Sequence, residues 1–364
     1  MASRTARAAG TSGARALAAN EGDNAMRWDR ASPGHYEVWY LTVNHRPSET
    51  GYWIRYTLKS PTEGGEPYAQ LWFAFFDARN ADSTFGVNQM LPVSSLAAEA
   101  SPFSVTIEDS VLTHQSASGR IAGDGHEVSW NLAWPPSQAT HRQLPPLMYL
   151  RGGLGETTVL TPNLHVPMSG SIEVDGRRFE LRDEPGGQTH LWGARHAQAW
   201  AWGHCNAFEG YPSASLETLT AQIRRGGVDL PPLTVLTLYL GDEVLRWNQP
   251  WHLPFSRGDH GTGRYGFRAQ KARVALEGEF TCRPEDMVVA PYADPDGVPR
   301  YCANTEIADL RVRVWRRGRT GPWLEDRRLF APRAGHFEVG GRHRDPKIPK
   351  DHVVVDDRQR ARRP

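Results

Sequence analysis

Glu37-Val38-Trp39-Tyr40-Leu41-Thr42-Val43, Tyr52-Trp53-Ile54-Arg55-Tyr56-Thr57-Leu58 and Gln70-Leu71-Trp72-Phe73-Ala74-Phe75-Phe76 are three strand-length runs of β-branched and aromatic residues, separated by Gly, Pro, Ser and Asn. Such side chains fit a pleated surface, and the turn formers between them set the length of each run. Outward from these, similar runs occur at 105–107, 111–114, 128–134, 171–174, 179–181, 199–204, 234–240, 244–247, 265–269, 273–280 and 310–315. Asp175-Gly176 supplies the positive φ angles of a hairpin turn between two of them. In 273–280, Val274, Leu276 and Phe280 alternate with Arg273, Glu277 and Glu279, as in an antiparallel sheet with one wet face. One segment has helical spacing: Leu216, Leu219 and Ile223 fall on one face of 213–227, with Ser215 as cap and Gly226-Gly227 as stop. Strands do not alternate with helices, which excludes a parallel α/β sheet.

The chain has 364 residues, enough for two domains at roughly 100–200 residues each. The residues alone suggest an all-β protein with few helices, built as two antiparallel β-barrels or two sandwiches in tandem; closing a sheet into a barrel removes its exposed edges. Residues 1–25, rich in Ala, Gly, Ser and Arg, read as a disordered leader, 26–185 as the first barrel, 186–340 as the second, and 341–364, ending in RQRARRP, as a basic disordered tail. Lys+Arg (42) and Asp+Glu (41) nearly cancel, so no overall field gathers nucleic acid. No apolar run approaches the roughly 18–20 residues of a membrane helix, and no signal-peptide core is visible, so a cytoplasmic protein is expected.

Several motifs lead nowhere. Gly261-Thr262-Gly263-Arg264-Tyr265-Gly266 has the spacing of a dinucleotide loop but lacks a strand before it and a helix after it. His190, His196 and His204 lack ligand spacing, so neither metal nor cofactor is expected. Cys205, Cys282 and Cys302 read as small buried hydrophobes, with a Cys282–Cys302 disulfide as the alternative.

Chemistry concentrates in 190–210, HLWGARHAQAWAWGHCNAFEG. On a regular strand Trp200, Trp202, His204, Asn206 and Phe208 share one face. Large aromatics beside hydrogen-bonding groups suit the wall of a pocket for an apolar ligand; a core with two satisfied polar groups is the other reading.

This segment resembles the lipocalin-like superfamily of carotenoid 1,2-hydratases, tocopherol cyclases, AttH-type proteins and decalin-forming Diels–Alderases. The resemblance is carried by Trp192-Gly193, Trp200-Ala201-Trp202 and Asn206-Ala207-Phe208, by the opening hairpin of 36–41 and 51–58, and by Tyr292-Ala293-Asp294-Pro295-Asp296-Gly297 with Tyr301-Cys302-Ala303-Asn304-Thr305-Glu306. It implies two lipocalin-like barrels and a lipophilic, unsaturated small-molecule ligand. It also implies cyclase, isomerase or hydratase activity, with a non-catalytic lipid carrier as the alternative. Protonating a double bond needs an acid held neutral by burial, and aromatic faces attract the resulting cation. The His-x-Trp pair implicated in the hydratases is matched by His190-Leu191-Trp192. Its Tyr-x-Asp partner is missing from the segment that follows, and the chain's one such triplet is Tyr292-Ala293-Asp294. His190, Glu209 and Asp242 are the expected acid–base residues. Trp192, Trp200, Trp202, His204, Asn206, Phe208, Tyr239, Tyr40 and Trp53 are the expected ligand contacts.

Overall fold

The computed structural model describes residues 18–149, 156–225 and 228–358. Eleven consecutive strands form the first sheet: β1 (His35–His45), β2 (Thr50–Ser60), β3 (Tyr68–Asp77), β4 (Phe85–Pro92), β5 (Leu96–Ala100), β6 (Phe103–Ile107), β7 (Ser110–Thr113), β8 (Ser116–Gly123), β9 (His126–Ala133), β10 (Thr157–Val174) and β11 (Arg177–Gly193). The second half gives β12 (Ala199–Cys205), β13 (Ala214–Gln222), a separate small pair β14 (Arg224–Arg225) and β15 (Val228–Asp229), β16 (Leu233–Leu240), β17 (Glu243–Trp247), β18 (Ser256–Gly261), β19 (Arg264–Gln270), β20 (Val274–Thr281), β21 (Val288–Ala293), β22 (Pro299–Arg316) and β23 (Leu324–Gly341). A last strand, β24 (Val353–Asp356), returns to the first sheet.

The first sheet runs β24-β4-β3-β2-β1-β11-β10-β9-β8-β7-β6-β5, and the second β17-β16-β13-β12-β23-β22-β20-β19-β18, with β21 also on β22. Each curls onto itself. A Cβ at Gly123 on β8 would come within 2.8 Å of Val87 on β4 and 2.9 Å of Val355 on β24, so the first seam leaves no room for a side chain there. The second seam is tied by the Tyr265 hydroxyl on β19, 3.0 Å from Thr218 Oγ1 and 2.9 Å from Thr220 Oγ1 on β13. Together these are two tandem lipocalin-like antiparallel barrels.

Register decides what lies inside. Trp39 pairs with Tyr56 and Leu41 with Ile54, and these face the first barrel's core with Phe73 and Phe75. Their neighbours Val38, Tyr40, Trp53, Trp72, Ala74 and Phe76 face the opposite way, yet they too are buried, in a third core with Trp200, Trp202, Val288 and Cys302 of the second barrel. Every residue of β2 is buried. The wall β1–β3 is therefore dry on both faces, which is why its sequence reads as near-continuous apolar runs.

Four expectations are corrected. The helix predicted over 213–227 is strand β13 over Ala214–Gln222, paired with β12 and β16; its proposed Gly226-Gly227 stop lies outside the described residues. Leu216 faces the second barrel's core while Leu219 packs on the inter-barrel core, so burial on both faces breaks the two-residue period that would have marked a strand. The predicted disordered tail is ordered through residue 358: β24 pairs in parallel with Val87–Met90, and Ile348 sits in the second core. Asp-His-Val-Val-Val-Asp carries enough β-branched surface to overcome the surrounding charge. The predicted leader is ordered from residue 18, with residues 18–22 helical, while 1–17 lie outside the described residues. The chain passes between sheets from Gly193 to Ala199, so the expected division at 185/186 falls inside β11. The three cysteines are free thiols.

Residues 20–28 close one end of the first barrel, and a buried pair holds them. His190 Nε2 lies 2.8 Å from Glu37 Oε1, and Nδ1 lies 2.8 Å from the Asp23 carbonyl. Burial alone would raise the Glu37 pKa. Hydrogen bonds from His190, His35 and the Arg27 backbone N–H outweigh it and bring the pKa to about 2. A depressed carboxyl stabilises the fold above its ordinary pKa, and that contribution fades as pH falls from about 4.5 towards 2. Glu37→Gln should lower unfolding free energy by about 3 kcal/mol at neutral pH, because it breaks a buried pair. It should also flatten the acid limb of stability. Urea titrations at several pH values measure both.

Candidate active site between the barrels

The two barrels enclose a half-open cavity of about 180 Å³. Val38 and Tyr40 reach it from β1, Trp53 and Arg55 from β2, Leu191 from β11, Trp200 and Trp202 from β12, Leu219 and Ala221 from β13, Tyr292 from β21 and Glu338 from β23. Alternation along β12 aims both tryptophans at the first barrel. Trp200 lies flat over Gly340, where an added Cβ would come within 2.0 Å of the ring. Any larger residue there would displace the indole.

Each indole anchors a carboxyl group. Trp200 Nε1 donates to Glu338 Oε1 at 2.7 Å, and Trp202 Nε1 donates to Glu217 Oε1 at 2.8 Å. Burial pushes the Glu338 carboxyl above its ordinary value, against the Trp200, Cys302 and Arg55 contacts that favour its ionised form. Burial pushes Glu217 up to about 8, with only the Trp202 N–H opposing. Glu306 is also pushed up by burial and by the neighbouring Glu338. Near pH 7 Glu217 keeps its proton, and burial shifts Glu306 and Glu338 towards the protonated state that a proton donor requires.

The opposite polar element is a histidine. His196 Nδ1 lies 2.7 Å from Asp294 Oδ1, which also accepts the His196 backbone N–H at 3.0 Å. Arg300 Nε donates to Asp294 Oδ2 at 2.8 Å. An ionised carboxylate only accepts, so Nδ1 carries the proton and Nε2 is left as a base. Burial lowers the His196 pKa despite Asp294 and keeps the ring neutral. The ring stacks on Tyr36 (centroids 4.3 Å), Trp200 (5.6 Å) and Tyr292 (5.6 Å). Trp200 thus lies beside both the histidine and Glu338.

The sequence pattern that defines the tocopherol cyclase-like family matches residues 78–341. The chain belongs to that family. An uncharacterised protein of Mycobacterium tuberculosis is 28% identical over 331 residues, covering 86% of this chain and 88% of that one. A probable chloroplastic tocopherol cyclase of Oryza sativa subsp. japonica is 26% identical over 180 residues, covering 47% of this chain and 37% of that one. Among solved structures, a protein assigned as AttH from Nitrosomonas europaea superposes with a TM-score of 0.54 at 11% identity, covering 88% of this chain and 98% of that one. CghA does so with a TM-score of 0.53 at 9% identity, covering 86% and 89%. Both share the overall fold of this chain.

In this tocopherol cyclase-like chain, Tyr40, Trp53, Trp200 and Trp202 are the sequence-expected residues that line the cavity. The others do not. His190 is a structural anchor, stacked on Trp39 at 5.0 Å, and Trp192 packs beside it under Arg27. His204 and Asn206 lie at the joint between the barrels: His204 Nδ1 is 3.3 Å from His336 Nδ1 on the neighbouring strand, His336 Nε2 lies 2.6 Å from Asn44 Oδ1 of the first barrel, and Asn206 Nδ2 donates to the Gly186 carbonyl at 2.9 Å. Phe208 follows the end of β12 and turns into the second core. Tyr239 bonds His141 Nδ1 at 2.8 Å, behind the loop that carries the lining residues Gln143 and Leu144. Glu209 and Asp242 are exposed in turns, so neither is a buried acid. Sequence reasoning missed His196, Arg55, Glu217, Tyr292, Asp294 and Glu338. The Tyr292-Ala293-Asp294 triplet was the available signal: folding brings it to His196 across 98 residues of chain.

A raised carboxyl has a stability signature. Between about 4.5 and 8 the folded chain keeps a proton on Glu217 that the unfolded chain has lost, so stability falls as pH rises through that window. Urea midpoints from pH 5 to 8.5 should show a shallower decline for Glu217→Gln, by up to about 1.4 kcal/mol per pH unit.

Proposed function

We propose that this protein is an enzyme that protonates a double bond of a lipophilic polyene, terpenoid or polyketide substrate and guides the cation to a cyclised, isomerised or hydrated product. The observation that carries this reading is the joint placement of a carboxyl whose pKa burial raises, Glu338, and a neutral imidazole, His196, on either side of Trp200 in an indole-walled cavity. Glu338 gives its proton to the alkene carbon. The faces of Trp53, Trp200, Trp202 and Tyr292 lower the energy of the developing cation. An internal hydroxyl or a water then adds, and His196 Nε2 takes the proton that this oxygen releases. Asp294, tied by Arg300, holds the imidazole in the required tautomer. The belonging of the chain to a cyclase-like family supports the same chemistry.

About 180 Å³ holds a ring or a short branched unit, since an engineered cavity of similar size holds benzene. The reacting end enters, and the rest of a long substrate leaves through the mouth beside Met148 and Ile223.

The test is incubation with prenylated quinols and polyenes in D2O, read by mass spectrometry. One solvent deuterium at carbon is expected in the cyclised or hydrated product. Glu338→Gln should cut turnover by about 100-fold or more while still binding ligand. Full activity of that variant would remove Glu338 from the mechanism. Tight binding without product from any substrate would favour the carrier reading instead.

A further inference from the structure

Arg55 is 6% exposed, lies on the inter-barrel face of β2 and lines the cavity. Its guanidinium rests on Tyr292 at 4.3 Å from the ring centroid, on Trp72 at 5.4 Å and on Trp53 at 5.5 Å. Its one hydrogen bond among the described residues runs from Nε to Thr57 Oγ1, at 2.9 Å. Among those residues no carboxylate comes within ion-pair distance of it. The charge-bearing groups around it are committed elsewhere. Asp294 serves His196 and Arg300. Glu338 takes its bond from Trp200. Glu156 is exposed at the mouth, 3.9 Å from Arg195. Lys59, further along the same face of β2, adds a second buried positive group.

Removing a guanidinium from water without a counter-charge is costly. The aromatic faces return part of that cost. They cannot satisfy the outer N–H donors, which form a planar fork matched to a planar oxyanion.

We infer that Arg55 is the seat for an anionic head group, and that the unsaturated lipid bound here carries a carboxylate. This rests on the cavity being the substrate site. The head lies in the bidentate grip of Arg55, and the double bond lies towards Trp200. An anion there also screens Glu338 from the one neighbouring cation that favours its ionised form, so substrate binding itself helps keep that acid protonated.

The test compares farnesoic acid with its methyl ester at pH 7.5, read by tryptophan emission in the full-length protein. Both are unsaturated and nearly equal in size, and the acid alone is charged. The wild type should bind the acid at least tenfold more tightly, the value of one charge-assisted hydrogen-bonded pair. Arg55→Gln should erase that preference and leave ester affinity within about twofold. Equal binding of acid and ester by the wild type would overturn the anion seat and leave the cavity reading intact. Binding of neither would overturn both. A preference that survives in Arg55→Gln would place the anion elsewhere and reject Arg55. If circular dichroism shows Arg55→Gln unfolded, Arg55→Lys decides: it keeps the charge and loses the fork. A preference reduced at least threefold supports the seat, and an unchanged one rejects it.

Discussion

A sheet wall buried on both faces governs this molecule. Strands β1–β3 close the first barrel with Trp39, Leu41, Ile54 and Phe73 and hold the second barrel with Tyr40, Trp53, Trp72 and Phe76. A polar group buried against such a wall is costly unless it is partnered, because burial takes it out of water. The ionisable groups found there therefore carry meaning. Arg55 and Glu338 line the inter-barrel cavity, and Glu217 and Glu306 are buried ionisable groups in the second barrel. The barrels supply rigidity: their hydrogen-bond ladders fix where each alternate side chain points.

The two faces of β12 show the division of labour. Ala201 and Cys205 fill the second barrel, while Trp200 and Trp202 cross to the first. Further along the same face, His204 and Asn206 lock the barrels together through His336, Asn44 and Gly186. One strand thus builds a wall of the cavity at one end and a joint between the barrels at the other. The C-terminal segment adds a clamp of its own. His352 is buried edge-on against Trp53 and Trp72, with centroids 5.8 and 5.5 Å away, and β24 extends the first sheet beyond β4.

The strands and the barrel pair were legible because local side-chain chemistry decides them. Four aromatic lining residues were legible too, since Trp and Tyr on strands declare buried surface. The polar half of the site was not. Arg55 sits in Tyr-Trp-Ile-Arg-Tyr-Thr-Leu like the wet residue of an ordinary half-exposed strand, and Glu338 reads the same way in β23. Their burial depends on the other barrel, hundreds of residues away in some cases, so no local period reports it. His190 misled for the opposite reason. It carries a catalytic-looking neighbour, Trp192, but its strand phase turns it into the first barrel, where Glu37 and the segment at Asp23 engage both ring nitrogens. The histidine that lines the cavity, His196, lies in the connection just beyond that strand. The error at β13 has the same root: where both faces are dry, neither the helical nor the strand period survives intact.

The central claim is that ligand binds between the barrels and not inside either one. A crystal structure of the protein soaked with a short polyene acid tests it most directly. The account predicts electron density against Trp53, Trp200, Trp202 and Tyr292, with one end at Arg55. Density within the interior of either barrel, with the inter-barrel cavity empty, would contradict it.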